Sequence, residues 1–290
     1  GTDNQKNVSV MKKKIFLLAG ALLFSFSILL AQHGSNNADE AICKHILAEL
    51  QQHSEKSTAE LVVIAGKLLM NTPYVAHTLE TEPEQLIVNL QELDCTTFAE
   101  NCLALARTAQ TRKPSFKQFK NELQLIRYRG GEINGYPSRL HYFSDWILDN
   151  DKKQTIKAVS EAIGNIKFEK TINFMSEHPN SYKPLKNNAV FIEALHKQEQ
   201  ELTNAKLYYI PTEKLETVKH LIKNGDIFGI TTNIDGLDIT HVGIAVFNGD
   251  ELYFMHASSK AEQVILSEET LFEYLQNQKT ATGIMIARPL

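Results

Sequence analysis

The sequence predicts an α+β fold, with helices gathered in the front half of the chain and an antiparallel sheet in the rear. Three observations predict it. Over 39–54, 57–70 and 95–109, apolar side chains recur every three or four positions, the period of a helix with one buried face. In the last third, GDIFGITT, THVGIAVF, ELYFMHAS and ATGIMIARP are runs rich in β-branched and aromatic residues, separated by turn signals. One helical pattern, about 267–277, interrupts those runs.

Residues 1–10 precede Met11 and are expected to be a misassigned start or residues added to the natural chain. From Met11, three lysines lead into an apolar and small-residue run, Ile15 to Ala31, followed by polar HGSNNADE. That order is the pattern of a secretory signal peptide, residues 11–31, with cleavage near Ala31. An uncleaved membrane anchor is the alternative. Residues 32–290 are then expected to form a single domain. A helix is expected over 39–54 from Ala41, Ile42, Ile46, Leu47 and Leu50, and another over 57–70 from Leu61, Ile64, Ala65, Leu68 and Leu69. Pro73 ends the second. LIVNL at 86–90 is expected to be a short buried strand or a close approach to the next helix. That helix, Cys95 to Ala109, carries Phe98, Cys102, Leu105 and Ala109 on one stripe. Thr97 and Glu100 have capping-box spacing, and Asp94 is a second cap candidate. Another helix follows Ser115. An irregular stretch, RYRGGEINGYPSRLHYF at 127–143, ends in a short helix, DWILDN. Residues 154–186 show no dominant period. Helices near 188–203 and 212–224 flank a strand, KLYYI.

With 290 residues and 43% apolar content, the chain is long enough for a proper core. Its net charge of −4 lacks the basic excess of a nucleic-acid binder. Cys43, Cys95 and Cys102 are an odd count, which in an oxidising compartment leaves one thiol unpaired. Cys95 and Cys102 cannot bridge on one helix, because seven residues separate them by roughly 10 Å. A Cys43–Cys102 disulfide stays open.

THVGIAVF and ELYFMHAS flank Asn248-Gly249-Asp250, a hairpin signal. A turn centred on Asn248-Gly249 pairs Phe247 with Asp250 and therefore His241 with His256, their Cβ atoms about 5 Å apart. A turn centred on Gly249-Asp250 shifts the pairing by two and keeps both imidazoles on one face. Gly243 and Ala245 share that face, and their small size is expected to admit a helix. A cysteine at a helix start, beside unpaired N–H groups and an imidazole, is the arrangement that activates a thiol. In this reading Cys95 is the nucleophile, His241 the base and His256 the residue that orients it, with backbone N–H groups around Cys95 as the oxyanion site. A structural cysteine and histidines, or a Cys-His-His zinc site, are the competing readings. No CxxC or HxxxH pair supports zinc.

At these residues the sequence resembles the NlpC-type, papain-like cysteine hydrolases of bacterial cell walls. The motifs are DCTTF at 94–98, GDI at 225–227, HVGI at 241–244 and HAS at 256–258. The resemblance implies a papain-like fold in which the cysteine helix packs on an antiparallel sheet. TPY at 72–74 resembles a tyrosine-bearing element near the nucleophile, which makes Tyr74 a candidate to line the site. The long middle, about 110–220, departs from the minimal pattern as a helical and irregular insert. NLQELDCTTFAEN with PSRLHYFSDW resembles a larger branch assigned as N-acetylmuramoyl-L-alanine amidase. That implies hydrolysis of the amide between N-acetylmuramic acid and L-alanine in muropeptides, with no metal or organic cofactor. A γ-D-glutamyl-diamino acid endopeptidase, a non-catalytic wall-binding module and a zinc amidase are the alternatives. Arg139 is expected either to pair a substrate carboxylate or to form a solvated or structural ion pair, and Tyr142 to pack a sugar ring or the backbone. The expected partners are peptidoglycan fragments. The expected state is a monomer without a stable membrane anchor, in the periplasm or outside the cell.

Overall fold

The computed structural model describes residues 37–290. The expected added start, signal peptide and cleavage point therefore lie outside the described residues. Helix α1 spans 37–51. Residues Cys43–Leu290 form one compact unit. No helix among the described residues is long and apolar enough to cross a membrane.

Two helices build the front of this unit. Helix α2 (Thr58–Leu68) starts at Ser57, whose side chain accepts from the Glu60 N–H in a capping box. Helix α3 (Cys95–Ala109) starts at Asp94, whose carboxylate accepts from the Thr97 N–H at 2.8 Å. The Thr97 hydroxyl in turn accepts from the Asp94 N–H at 2.9 Å. The cap is thus Asp94 with Thr97, and Cys95 is the first helical residue. Glu100 is released from the capping role that its spacing suggested, and points inward to Arg127 at 2.7 Å. Residues 86–90 form no strand. The Ile87 carbonyl instead accepts from Arg127 at 2.6 Å, which stitches this apolar segment to the same buried pair.

The middle of the chain adds α4 (Phe116–Arg127), α5 (Phe143–Lys152), β1 (Ile156–Ala158), α6 (Ser160–Gly164) and β2 (Ile166–Lys167). It continues with α7 (Phe174–Glu177), α8 (Ala189–Asn204), β3 (Tyr208–Pro211) and α9 (Leu215–Val218). The rear supplies β4 (Ile227–Thr232), β5 (Ile239–Asn248), β6 (Glu251–Ser258), β7 (Gln263–Leu266), α10 (Leu271–Asn277) and β8 (Ala281–Pro289). Among the described residues the strands join one sheet in the order β2-β3-β8-β4-β5-β6-β7, with β1 also on β8. Every pairing is antiparallel. The stretch read as an insert is therefore not separate from the sheet, because β1 and β3 pair directly with β8.

The β5–β6 ladder pairs Asn248 with Glu251 and Ile244 with Met255. The turn is therefore centred on Gly249 and Asp250, with Gly249 in the left-handed region at φ 60°. Continued by one residue, the ladder sets His256 opposite Gly243 and leaves His241 diagonal to it on the same face. That face does not receive α3. A Cβ on Gly243 would stand 2.7 Å from Phe228 Cζ and 3.0 Å from Phe254 Cδ2, so aromatic rings fill the space the small residues leave. These rings belong to a core with Leu271 and Leu275 of α10. Met255, on the opposite face, closes with Phe98 of α3 over Gly66 of α2. A one-residue bulge in β5 follows from its pairing with β4, where Ile230 faces His241 but Thr231 faces Ile239. Such bulges re-aim the side chains beside them.

Candidate active site

Cys95 occupies the first turn of α3, partly open to solvent. Its thiol is pushed up to about 11, first by burial and then by the Asp94 carboxylate. Hydrogen bonds from the backbone of Val242 and from Thr96 pull the other way and do not prevail. The helix start was expected to lower this pKa. Here the residue that caps the helix is itself an anion next to the sulfur, so the resting group is a thiol. The bond from Val242 also sets Cys95 beside the residue that follows His241.

His241 and His256 form a pair. His241 Nε2 lies 2.7 Å from His256 Nδ1, and the rings meet edge to face with centroids 4.9 Å apart. Burial lowers His241 to about 3, with the neighbouring His256 adding to the effect. Burial lowers His256 to about 4. Both imidazoles are therefore neutral at ordinary pH. The bond between them occupies Nε2 of His241 and leaves its Nδ1 for another partner.

Two tyrosines border this group. The Tyr74 hydroxyl is pushed up by burial and then by the charges of Cys95 and Asp94, which sets it within electrostatic reach of the sulfur. Its backbone N–H is anchored to the Glu262 carbonyl at 2.9 Å. Tyr274 of α10 was not anticipated. Its ring stacks on His241 with centroids 6.3 Å apart and meets His256 edge-on at 6.0 Å. Its hydroxyl is also pushed up, by burial and then by Glu269 and Cys95. A tyrosine beside the apolar Leu271 and Leu275 in a helical pattern looks like an ordinary core residue, so its sequence carries little signal.

Arg139 and Tyr142 lie farther along the chain's middle. Arg139 is buried and ion-paired with Glu80 at 3.1 Å and Glu84 at 3.2 Å. Its charge is taken up by two carboxylates of this chain, so it is a structural ion pair. Tyr142 is buried, donates to Glu199 at 2.7 Å and accepts from the Met175 N–H at 2.8 Å. Tyr142 also lines a cavity of about 440 Å³ with Tyr136, His141, Tyr182, Asp238 and Ile239. Asp238, another unanticipated residue, accepts from the N–H and hydroxyl of Ser144, both at 2.8 Å, and so ties the lead-in of β5 to the start of α5. Among the described residues, no group of three or more His, Cys, Asp or Glu side chains is placed to hold a metal ion.

Comparison with known proteins defines the class. Residues 64–284 match the family model described as AmiA-like, N-acetylmuramoyl-L-alanine amidase-like. The chain belongs to this AmiA-like family. It is 38% identical to a crystal structure of an N-acetylmuramoyl-L-alanine amidase from Bacteroides uniformis, with a TM-score of 0.77 over 80% of this chain and 98% of that one. It is 40% identical to a structure from Bacteroides fragilis described as a putative xylanase, with a TM-score of 0.74 over 77% of this chain and 99% of that one. A Legionella pneumophila protein of the DUF1460 family model shares the fold at 22% identity, with a TM-score of 0.64 over 88% of this chain and 97% of that one. No curated protein matches. These findings overturn the NlpC-type, papain-like assignment, because the AmiA-like family is distinct from it. DCTTF, HVGI and HAS are short signatures of a helix start and two strand segments. Motifs of that length do not tell one family of cysteine-bearing α+β proteins from another.

Proposed function

We propose that this protein hydrolyses the amide between N-acetylmuramic acid and L-alanine in peptidoglycan fragments, with Cys95 as nucleophile. Membership of the AmiA-like family supports the reaction class. The observation that carries the cysteine reading is the His241–His256 bond at 2.7 Å beside a helix-start cysteine that accepts from Val242. The mechanism uses the tautomer in which His241 Nε2 donates to His256 Nδ1 across this 2.7 Å contact, so that His241 Nδ1 is the base. Because the thiol and both imidazoles rest neutral, no thiolate–imidazolium pair is stored in the free enzyme. The proton moves from Sγ to His241 as sulfur attacks the lactyl carbonyl. Free N–H groups at the start of α3 stabilise the oxyanion. His241 then returns the proton to the nitrogen of L-alanine, and water hydrolyses the thioester. The apolar run after three lysines supports a periplasmic site of action.

The test is digestion of a defined disaccharide-peptide muropeptide followed by mass spectrometry. The wild type is expected to release the intact stem peptide with a free L-alanine amine. Cys95→Ala, still folded by circular dichroism, is expected to release none. Turnover by that variant would remove the sulfur from the mechanism, and fragments cut within the peptide would reassign the bond.

A further inference from the structure

The cavity of about 440 Å³ begins close to the proposed chemistry. Ile239 and Asp238 form part of its wall, and Ile239 lies two residues from His241, about 7 Å along an extended strand. His77, on another part of the wall, is three residues from Tyr74, which is within charge reach of Cys95. A substrate held with its scissile carbonyl at the sulfur can therefore extend into this space.

His141 stands in this wall with its hydrogen bonding half used. His141 Nε2 lies 2.8 Å from the Tyr136 carbonyl oxygen. A carbonyl only accepts, so Nε2 carries the hydrogen and Nδ1 is a bare acceptor. That bond is the sole hydrogen bond of this imidazole among the described residues. The Tyr136 ring packs against the imidazole with centroids 4.2 Å apart and fixes its plane. Protonation, which would turn Nδ1 into a donor, is resisted by burial and by the nearby guanidinium of Arg139, which together hold the group at about 3. Three other polar groups of the wall are already bonded within the protein. Tyr142 is bonded to Glu199 and Met175, Asp238 to Ser144, and Glu80 to Arg139.

We propose that His141 is a specificity-determining residue, whose Nδ1 accepts a hydrogen bond from an N–H or O–H of the substrate seated in this cavity. The proposal rests on the amidase reading for the identity of the substrate, a muropeptide. The donor comes from either the sugar or the stem peptide, and both present N–H or O–H groups. A neutral acceptor with a fixed tautomer selects against a group that only accepts, such as a carboxylate, at the same position.

The test is calorimetric binding of a defined disaccharide-peptide muropeptide to full-length Cys95→Ala, with and without His141→Phe. The added phenylalanine is expected to weaken binding about tenfold, the value of one hydrogen bond of about 1.4 kcal/mol. His141→Gln, which keeps an acceptor oxygen, is expected to recover part of the loss. The ¹⁵N resonance of Nδ1 in Cys95→Ala is expected to shift on addition of ligand. Titration with N-acetylmuramic acid alone and with the stem peptide alone assigns the donor to one half of the substrate. Binding to Cys95→Ala,His141→Phe within twofold of Cys95→Ala, with an unmoved Nδ1 resonance, overturns the proposal. These readouts are independent of turnover, so activity surviving in Cys95→Ala counts against the nucleophile and not against His141.

Discussion

Alkylation of Cys95 as a function of pH tests the electrostatics of the site directly. The perturbation is a pH series with iodoacetamide, which reacts with the thiolate. With the thiol at about 11, the reactive fraction is about 1% at pH 9 and about a quarter at pH 10.5. The rate constant should therefore rise roughly 20-fold across that interval. A free cysteine near pKa 8.5 is already mostly ionised at pH 9 and would gain less than about 1.5-fold. Cys43 and Cys102 are fully buried and serve as silent references in the same peptide map. Asp94→Asn keeps an oxygen to cap α3 and removes the anion beside the sulfur, so its curve should move to lower pH. Circular dichroism across the series excludes unfolding. A rate that levels off by pH 9 would show a thiolate stabilised in the free enzyme and refute the neutral-pair account.

Three further outcomes follow from the same structure. Arg127→Met should cost about 3–5 kcal/mol in a urea melt, because it strands Glu100 in an interior where both side chains are 3% exposed or less. Adding Glu100→Leu should recover much of that, and an unaffected single variant would mean water reaches the pair. Gly225→Ala should lose about 1–3 kcal/mol from its φ of 86° alone, and more from a Cβ that would stand 1.9 Å from the Ala59 carbonyl oxygen. A variant as stable as the wild type would show that α2 yields freely there. His241 and His256 are depressed below the ordinary histidine value, so the unfolded chain binds protons there that the folded chain does not. Their contribution to stability is full above about pH 6.5 and is lost as pH falls through their folded values of about 4 and about 3. His256→Gln should flatten the fall in urea midpoint between those limits, and an unchanged slope would count against the burial of that ring.

What the sequence made legible was local. Asp94 before Cys95 marks a helix start because a carboxylate satisfies free N–H groups, and that needs only neighbouring residues. The hairpin of His241 and His256 was readable from Gly249 and the alternation around it, although the register followed the Gly249-Asp250 turn. Partners from distant segments were not legible. Nothing near Arg139 announces that Glu80 and Glu84 will reach it, so the sequence left a substrate-pairing cation and a structural ion pair both open. LIVNL has the composition of a strand, yet its carbonyl is used by Arg127 and no ladder forms. The two- and three-residue strands β1 and β2 are too short for periodicity to register. Family identity was misread for a related reason: the short motifs describe local segments, and the family model matches over residues 64–284.

The place of β8 bears on how this protein is made. It follows the other described strands in sequence, yet it lies between β3 and β4 and also carries β1, so three earlier segments wait for it. A ribosome must deliver residue 289 before those segments find their common partner. Until then the nascent polypeptide has an open seam through its sheet.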